Sequence, residues 1–271
     1  MKQLVIFTLL GLFSLSCFAQ EQELAQAIVD AKTPEAKGLA IAKMLDYRDT
    51  GWQDLESEAM MVLYNRSGKE SKREMRSRSM EVTGDGDKSL SIFDHPRTIK
   101  GTATLTWSHG LEPNDQWLYL PALKRVKRVS SKNKSGPFMG SEFAYEDLSS
   151  LDIEKYTYKY LRDENLEGKD CYVIDRYPAY EYSGYTRRAS WIDKELFIPY
   201  RVVFYDRKNV LLKTQDFKDY KQYLGKYWRP DVMTMQNHQT GKSSIIYFKN
   251  YKFANGFTAR DFDKTALKRL R

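Results

Sequence analysis

The side chains best suited to moving protons or holding metals near neutral pH are scarce in this sequence. Its three histidines, His95, His109 and His238, stand far apart along the chain. Imidazole can act as base, acid or metal ligand. None of the three has a second histidine one helical turn away, and no cysteine pair is present to complete a zinc set. Ser130 and Ser131 lack the glycine-flanked elbow and the neighbouring base that would activate a serine. No glycine-rich phosphate loop occurs. Carboxylates are abundant, but glycoside hydrolysis requires two that converge in space, which sequence alone does not provide. These residues point to a protein that is not an enzyme, with no catalytic residue, metal or cofactor.

What stands out instead is a run of charge and grease. Lys124, Arg125, Lys127, Arg128, Lys132 and Lys134 fall within eleven positions. A glycine-bracketed apolar knot follows, GPFMG at 136–140, and then an acidic-aromatic tail, SEFAYEDL at 141–148. The net charge of +8 is mild for 271 residues and does not by itself call for nucleic acid. Long basic stems around Val126 and Val129 cover apolar surface while their heads face solvent or an anionic membrane. The strand KREMRSRSM at 72–80 puts Lys72, Glu74, Arg76 and Arg78 on one face, read as solvated. Aromatic residues make up 14% of the chain, with 19 Tyr, 13 Phe and 5 Trp. Part of this is ordinary strand composition. The sharper expectation is an apolar cavity lined by Met61, Leu63, Trp107, Leu118, Leu120, Trp191, Met233 and Met235. Phe138, Met139 and Phe143 are then expected at its rim.

The elements that must position these residues follow from periodicity. Residues 1–19 read as a cleavable signal peptide: a basic start, an apolar stretch from Leu4 to Phe18, and small residues at Cys17 and Ala19. Attachment of lipid at Cys17 is the weaker reading, because a lipobox wants leucine where Ser14 stands. Residues 20–271 are expected to form one domain, exported to the periplasm, with peripheral membrane contact allowed. The remaining cysteine, Cys171, sits in an apolar alternation and reads as buried and inert. Apolar spacing predicts helices near 21–31 and 34–46, the second capped by Thr33 with Pro34 at its first position. From Leu55 onward the period is two, giving about thirteen strands joined by tight turns, hence antiparallel. The last residues, TARDFDKTALKRL, predict a short helix anchored by Phe262 and Leu267. The expected fold is mainly β: a large curved antiparallel sheet, an incomplete barrel, with the N-terminal helices and the C-terminal helix covering its concave apolar face.

The segment WLYLPALKRVKRVSSKNKSGPFMGSEFAYEDL at 117–148 resembles the most characteristic stretch of the outer-membrane lipoprotein-sorting proteins, a branch of the LolA/LolB-like superfamily. Its YLP strand, its basic element, its GPFMGSEF turn and its YEDL close all match that branch. ENLEGKDCYVIDRYP, SWIDKELFIPYRVVFYD and MTMQNHQTGKSSIIYFKNYKF are similar to its later strands, so the likeness spans roughly 55–270. The resemblance implies a half-barrel closed by helices around an apolar cavity. It also implies a periplasmic carrier of lipoprotein acyl chains or lipids toward the outer membrane, with an inner-membrane transporter as a partner. A non-catalytic accessory of an RND-type export system is the alternative it allows. Each exposed CH₂ costs about 0.8 kcal/mol in water, so acyl chains need such an escort.

Overall fold

The computed structural model describes residues 19–149 and 152–269. The expected leader and Cys17 lie outside the described residues, apart from the last leader position.

Two helices lead into the sheet. α1 covers residues 19–30 and α2 spans Pro34–Asp49. Thr33 caps α2 as expected: its Oγ1 accepts from the Ala36 N–H at 3.1 Å, and Pro34 opens the helix. Thirteen antiparallel strands follow: β1 (Asp54–Tyr64), β2 (Glu70–Met80), β3 (Lys88–His95), β4 (Ala103–Trp107), β5 (Asp115–Leu120), β6 (Arg125–Val129), β7 (Tyr156–Leu166), β8 (Lys169–Pro178), β9 (Tyr185–Asp193), β10 (Pro199–Asp206), β11 (Leu211–Tyr223), β12 (Tyr227–Asn237) and β13 (Ser243–Phe253).

They form one open sheet in the order β6-β5-β4-β3-β2-β1-β13-β12-β11-β10-β9-β8-β7. Two meanders are thus joined by the long-range β1–β13 pairing, with Met61 opposite Ile246. One consequence governs the rest of the molecule. β6 and β7 are consecutive in the chain but stand at opposite edges of the sheet. The connection between them must therefore run from one edge to the other.

Register divides the sheet into two faces, because residues paired across strands project to the same side. Ala59 pairs with Met75 and Met75 with Phe93; Met61 pairs with Ile246, and Ile246 with Met233. These residues define the inner face. At the β7 end, α1 and α2 cover that face: Ile28, Ile41 and Met44 pack with Tyr156, Tyr158, Ile174 and Ile192. Gly38 lets α2 come close, since a Cβ there would lie 2.7 Å from the Tyr160 backbone nitrogen.

The C-terminal segment differs from expectation in form and in place. It makes two short 3-10 turns, Ala259–Phe262 and Ala266–Arg269, not one helix. Asp261 closes the first by accepting from Thr258 N and Oγ1, and Asp263 Oδ1 accepts from Thr265 N between the two, so each turn is satisfied locally. The segment also packs on the outer face. Phe262 and Leu267 are buried against Leu90, Ile92, Ala103 and Leu105, whose register is one residue out of step with Met75 and Phe93. Asp54 steers the chain there, its carboxylate accepting from Asn255 N, Asn255 Nδ2, Gly256 N and Phe257 N at 2.7–3.1 Å. Burial alone would raise the Asp54 pKa, but these hydrogen bonds outweigh it and hold the carboxyl below its usual range.

Candidate functional site: an apolar face under a strap

The middle of the inner face is apolar and fully covered. Met61, Phe93, Met235 and Ile246 have no exposed surface. The helices do not reach them. The cover is the β6–β7 connection, described at residues 130–149 and 152–155, which crosses the open side of the sheet as a strap. Phe138 and Phe143 descend from it into the cluster of Met61, Met75, Phe93, Phe204, Met235 and Ile246. Phe138 lies 5.8 Å from the Phe93 ring and edge-on to Tyr145 at 5.3 Å. Burying two phenylalanines contributes about 1.5–3 kcal/mol each. The GPFMGSEF turn is held by Phe138 N donating to Phe143 O at 2.7 Å, and by Ser141 Oγ donating to Phe138 O at 2.7 Å. Met139 and Gly140 take positive φ values of 49° and 82° to close it.

The strap's acids tie it down. Asp147 Oδ2 accepts from Lys213 Nζ of β11 at 2.6 Å and from Ala144 N at 2.7 Å, while Oδ1 accepts from Tyr185 OH at 2.8 Å. Lys213 Nζ also donates to Glu142 O at 2.9 Å. Glu146 accepts from Arg188 Nη2 of β9 (3.3 Å), Tyr180 OH (3.0 Å), Ser183 Oγ (3.0 Å) and Gly184 N (2.8 Å). Glu142 accepts from Asn237 Nδ2 at 2.7 Å, and its N–H donates to Ser244 Oγ at 3.0 Å. Lys213, Asp147, Arg188 and Glu146 are all buried. Such pairs add little net stability but are costly to break singly. Burial pushes the Tyr185 hydroxyl well above its ordinary pKa, with the Asp147 charge adding to the effect. This site holds carboxylates and cations in pairs that tie the strap to the sheet.

Met61, Leu63, Phe138, Met139, Phe143, Met233 and Met235 come together in this one cluster. Phe138 and Phe143 lie at its centre and not at a rim, because the strap plunges into the sheet. Leu118 and Leu120 are on the inner face but half-buried near the β6 edge, opposite Lys127 and Arg125. Trp107 and Trp191 project from the outer face. Trp107 packs edge-on to Trp117 and donates Nε1–H to Phe262 O at 2.8 Å, and Trp191 pairs with Val173 and Arg201. The polar clamps escaped the sequence, since Lys213 and Asp147 are 66 residues apart and Arg188 and Glu146 are 42 apart. The dense SEFAYEDL acids were their only signal.

The other chemically capable residues lie outside this cluster and make local contacts. His109 Nδ1 lies 2.9 Å from Asp85 Oδ2, and His238 Nε2 lies 2.8 Å from Thr214 Oγ1. Arg76 makes a bidentate pair with Asp94, and Arg78 pairs with Glu56 at 2.9 Å, so the arginine-rich strand is salt-bridged on the outer face. Cys171 is buried, and burial pushes its thiol up to about 11, the state of an inert cysteine.

The fold is an open antiparallel half-barrel with an apolar inner face, helices at one end and a strap over the middle. Known structures share this fold. The chain is 55% identical to an outer membrane lipoprotein-sorting protein domain from Vibrio parahaemolyticus, with a TM-score of 0.84 over 86% of this chain and 99% of that one. It is 32% identical to a DUF1329 family protein from Desulfovibrio piger, with a TM-score of 0.83 over 87% of this chain and 100% of that one. A LolA superfamily protein from Nitrosomonas europaea shares the fold at 20% identity, with a TM-score of 0.68 over 87% and 99% of the two chains. A family model described as an uncharacterized protein matches residues 85–269. No curated protein matches the chain. The chain belongs to the same family as this outer membrane lipoprotein-sorting protein domain and the DUF1329 protein.

Proposed function

We propose that this protein is a periplasmic carrier that takes lipoprotein acyl chains or lipids onto the inner face of its half-barrel for transfer toward the outer membrane. The leader at 1–19 exports it, residues 20–271 act as one domain, and an inner-membrane transporter hands over the cargo. The observation that carries this reading is the strap: Phe138 and Phe143 occupy the apolar cluster around Met61 and Met235 as an acyl chain would. Cargo enters by displacing these two rings, with Leu63 and Met233 extending the track. The exchange of one apolar occupant for another keeps the net affinity modest, which a carrier needs for release.

A second reading is an accessory of an RND-type export system whose interior stays filled. The complete burial of Met61, Phe93, Met235 and Ile246 favours it. The two are separated by extracting gently purified protein for lipid and by titrating a fluorescent acyl probe into wild type and Phe143→Ala. Co-purified acyl lipid, with tighter probe binding by the variant, is expected of a carrier. Absence of both in a folded protein would leave only the accessory.

A further inference from the structure

The β4–β5 turn, residues 108–114, reaches the chain just ahead of β7. Lys155 Nζ donates to Asn114 Oδ1 at 3.2 Å, and Asn114 Nδ2 donates to Ser149 Oγ at 3.5 Å. A Cβ on Gly110 would meet Glu154 Oε2 at 3.0 Å. Beside this seam opens a cleft of about 230 Å³. Tyr156 and Tyr180 floor it, Leu111, Pro113 and Tyr182 flank it, and Lys134 and Lys155 face into it. We propose that the seam cleft binds the phosphate of a lipid headgroup, with Lys134 as the principal contact. The inference rests on the carrier reading above and adds to it where the head of the cargo sits.

Three observations converge on a phosphate. First, charge inside the cleft is unbalanced. Glu146 is spoken for by Arg188, Tyr180, Ser183 and Gly184, and Asp152 pairs with Lys155. Lys134, by contrast, rests on the Tyr180 ring at 3.8 Å, a cation on an aromatic face with donors to spare. Burial pushes Lys134 down to about 8, against the pull of Glu146 and, more weakly, of Glu181, and with Lys155 and Arg188 adding repulsion, so it is still charged at pH 7 and gains from a bound anion. Second, a further cation stands behind the floor: Arg188 is matched by Glu146, but no carboxylate among the described residues pairs with Arg176. The Arg176 and Arg188 guanidinium carbons lie 5.8 and 5.3 Å from the Tyr156 ring centre, and each has a buried Nε without a hydrogen-bond partner. The rim acids Glu112 and Glu181 are exposed, and solvent screens them. Third, size selects the head. A pocket for a whole ligand runs to about 300–1,000 Å³, so this cleft holds a headgroup and its first carbons only. Tyr156 lies beside Arg188, whose guanidinium also faces Tyr185 and Phe204 of the cluster under the strap, so the chain's route inward leads to that cluster.

The test uses full-length protein and three probes: 1-palmitoyl-lysophosphatidylglycerol, 1-palmitoylglycerol and inorganic phosphate. The first two share a chain and differ in the phosphate. Wild type is expected to bind the phospholipid about tenfold or more tighter than the glyceride. Lys134→Met, confirmed folded by its thermal melt, should bring the two within about twofold while holding the glyceride as wild type does. Equal binding of both lipids by wild type overturns the headgroup site and leaves the carrier intact. A preference that survives in Lys134→Met overturns the role of that residue. Inorganic phosphate bound as tightly as the phospholipid would make the cleft a small-anion site and overturn its tie to lipid. Failure of wild type to bind either lipid overturns the carrier and this inference together.

Discussion

Lys213 Nζ lies 2.6 Å from Asp147 Oδ2, with side chains 5% and 0% exposed, and joins β11 to the strap across the apolar face. Lys213→Met removes the charge and keeps most of the volume, leaving Asp147 buried with Tyr185 OH and Ala144 N alone. Breaking one partner of a buried pair costs about 3–5 kcal/mol. Urea unfolding should show a loss of that size. Limited proteolysis should cut first between residues 130 and 149, because the strap loses its firmest tether. A cut pattern unchanged from wild type would show that the aromatic plug, not the ion pair, holds the strap.

How far the sequence revealed this arrangement depends on the range of the interaction. The thirteen strands were legible because period two and the turn residues are local. Asn65, for example, orders its own turn by accepting from Ser67 N and Lys69 N. The Thr33 cap was legible for the same reason. Period two pairs residues into faces but does not say which face is inner, so Trp107 and Trp191 were grouped with Met61 although they project to the opposite side. The strap's role was hidden because it follows from sheet order: β6 and β7 become opposite edges only once β1 pairs with β13.

Gly38 sets two effects against each other. Glycine inside a helix costs about 1 kcal/mol relative to alanine, so propensity alone predicts that Gly38→Ala stabilises. A Cβ there would meet Tyr160 N at 2.7 Å and Lys159 N at 2.8 Å, and both are strand backbone that cannot swing aside. Overpacking of this kind costs about 1–3 kcal/mol and pushes α2 off β7. The expected result is a lower melting temperature with undiminished helical circular dichroism. A rise in melting temperature would mean that α2 has room to slide.

Asp87 should make stability depend on pH. Burial, only weakly offset by Val82 N at 3.4 Å and reinforced by Glu81, pushes its carboxyl up to about 7 from a usual 3.8. An acid whose folded pKa exceeds its unfolded value binds more protons folded than unfolded between those values. Stability from this group is therefore full below about pH 4 and is lost as pH rises through 7. Each pKa unit corresponds to about 1.4 kcal/mol, and with solvent screening about 1–3 kcal/mol should be at stake. Asp87→Asn is expected to stabilise by that amount at pH 8.5 and by little at pH 4.5. Equal effects at both values would assign the gain to packing rather than to the proton.

Phe262 tests whether the two faces are independent. It has no exposed surface and seats the C-terminal segment on Leu90 and Leu105, while its carbonyl accepts from Trp107 Nε1. Phe262→Ala leaves a cavity on the outer face and should cost about 3–5 kcal/mol in urea unfolding. Phe143→Ala removes the same ring from the inner face at a similar cost. The two variants match in chemistry and in expected stability loss, and differ in the side of the sheet they disturb. If cargo travels on the inner face, acyl-probe affinity should rise in Phe143→Ala and stay at the wild-type value in Phe262→Ala. Equal gains in both would mean that loosening the sheet anywhere admits the probe, and the strap would lose its standing as the gate.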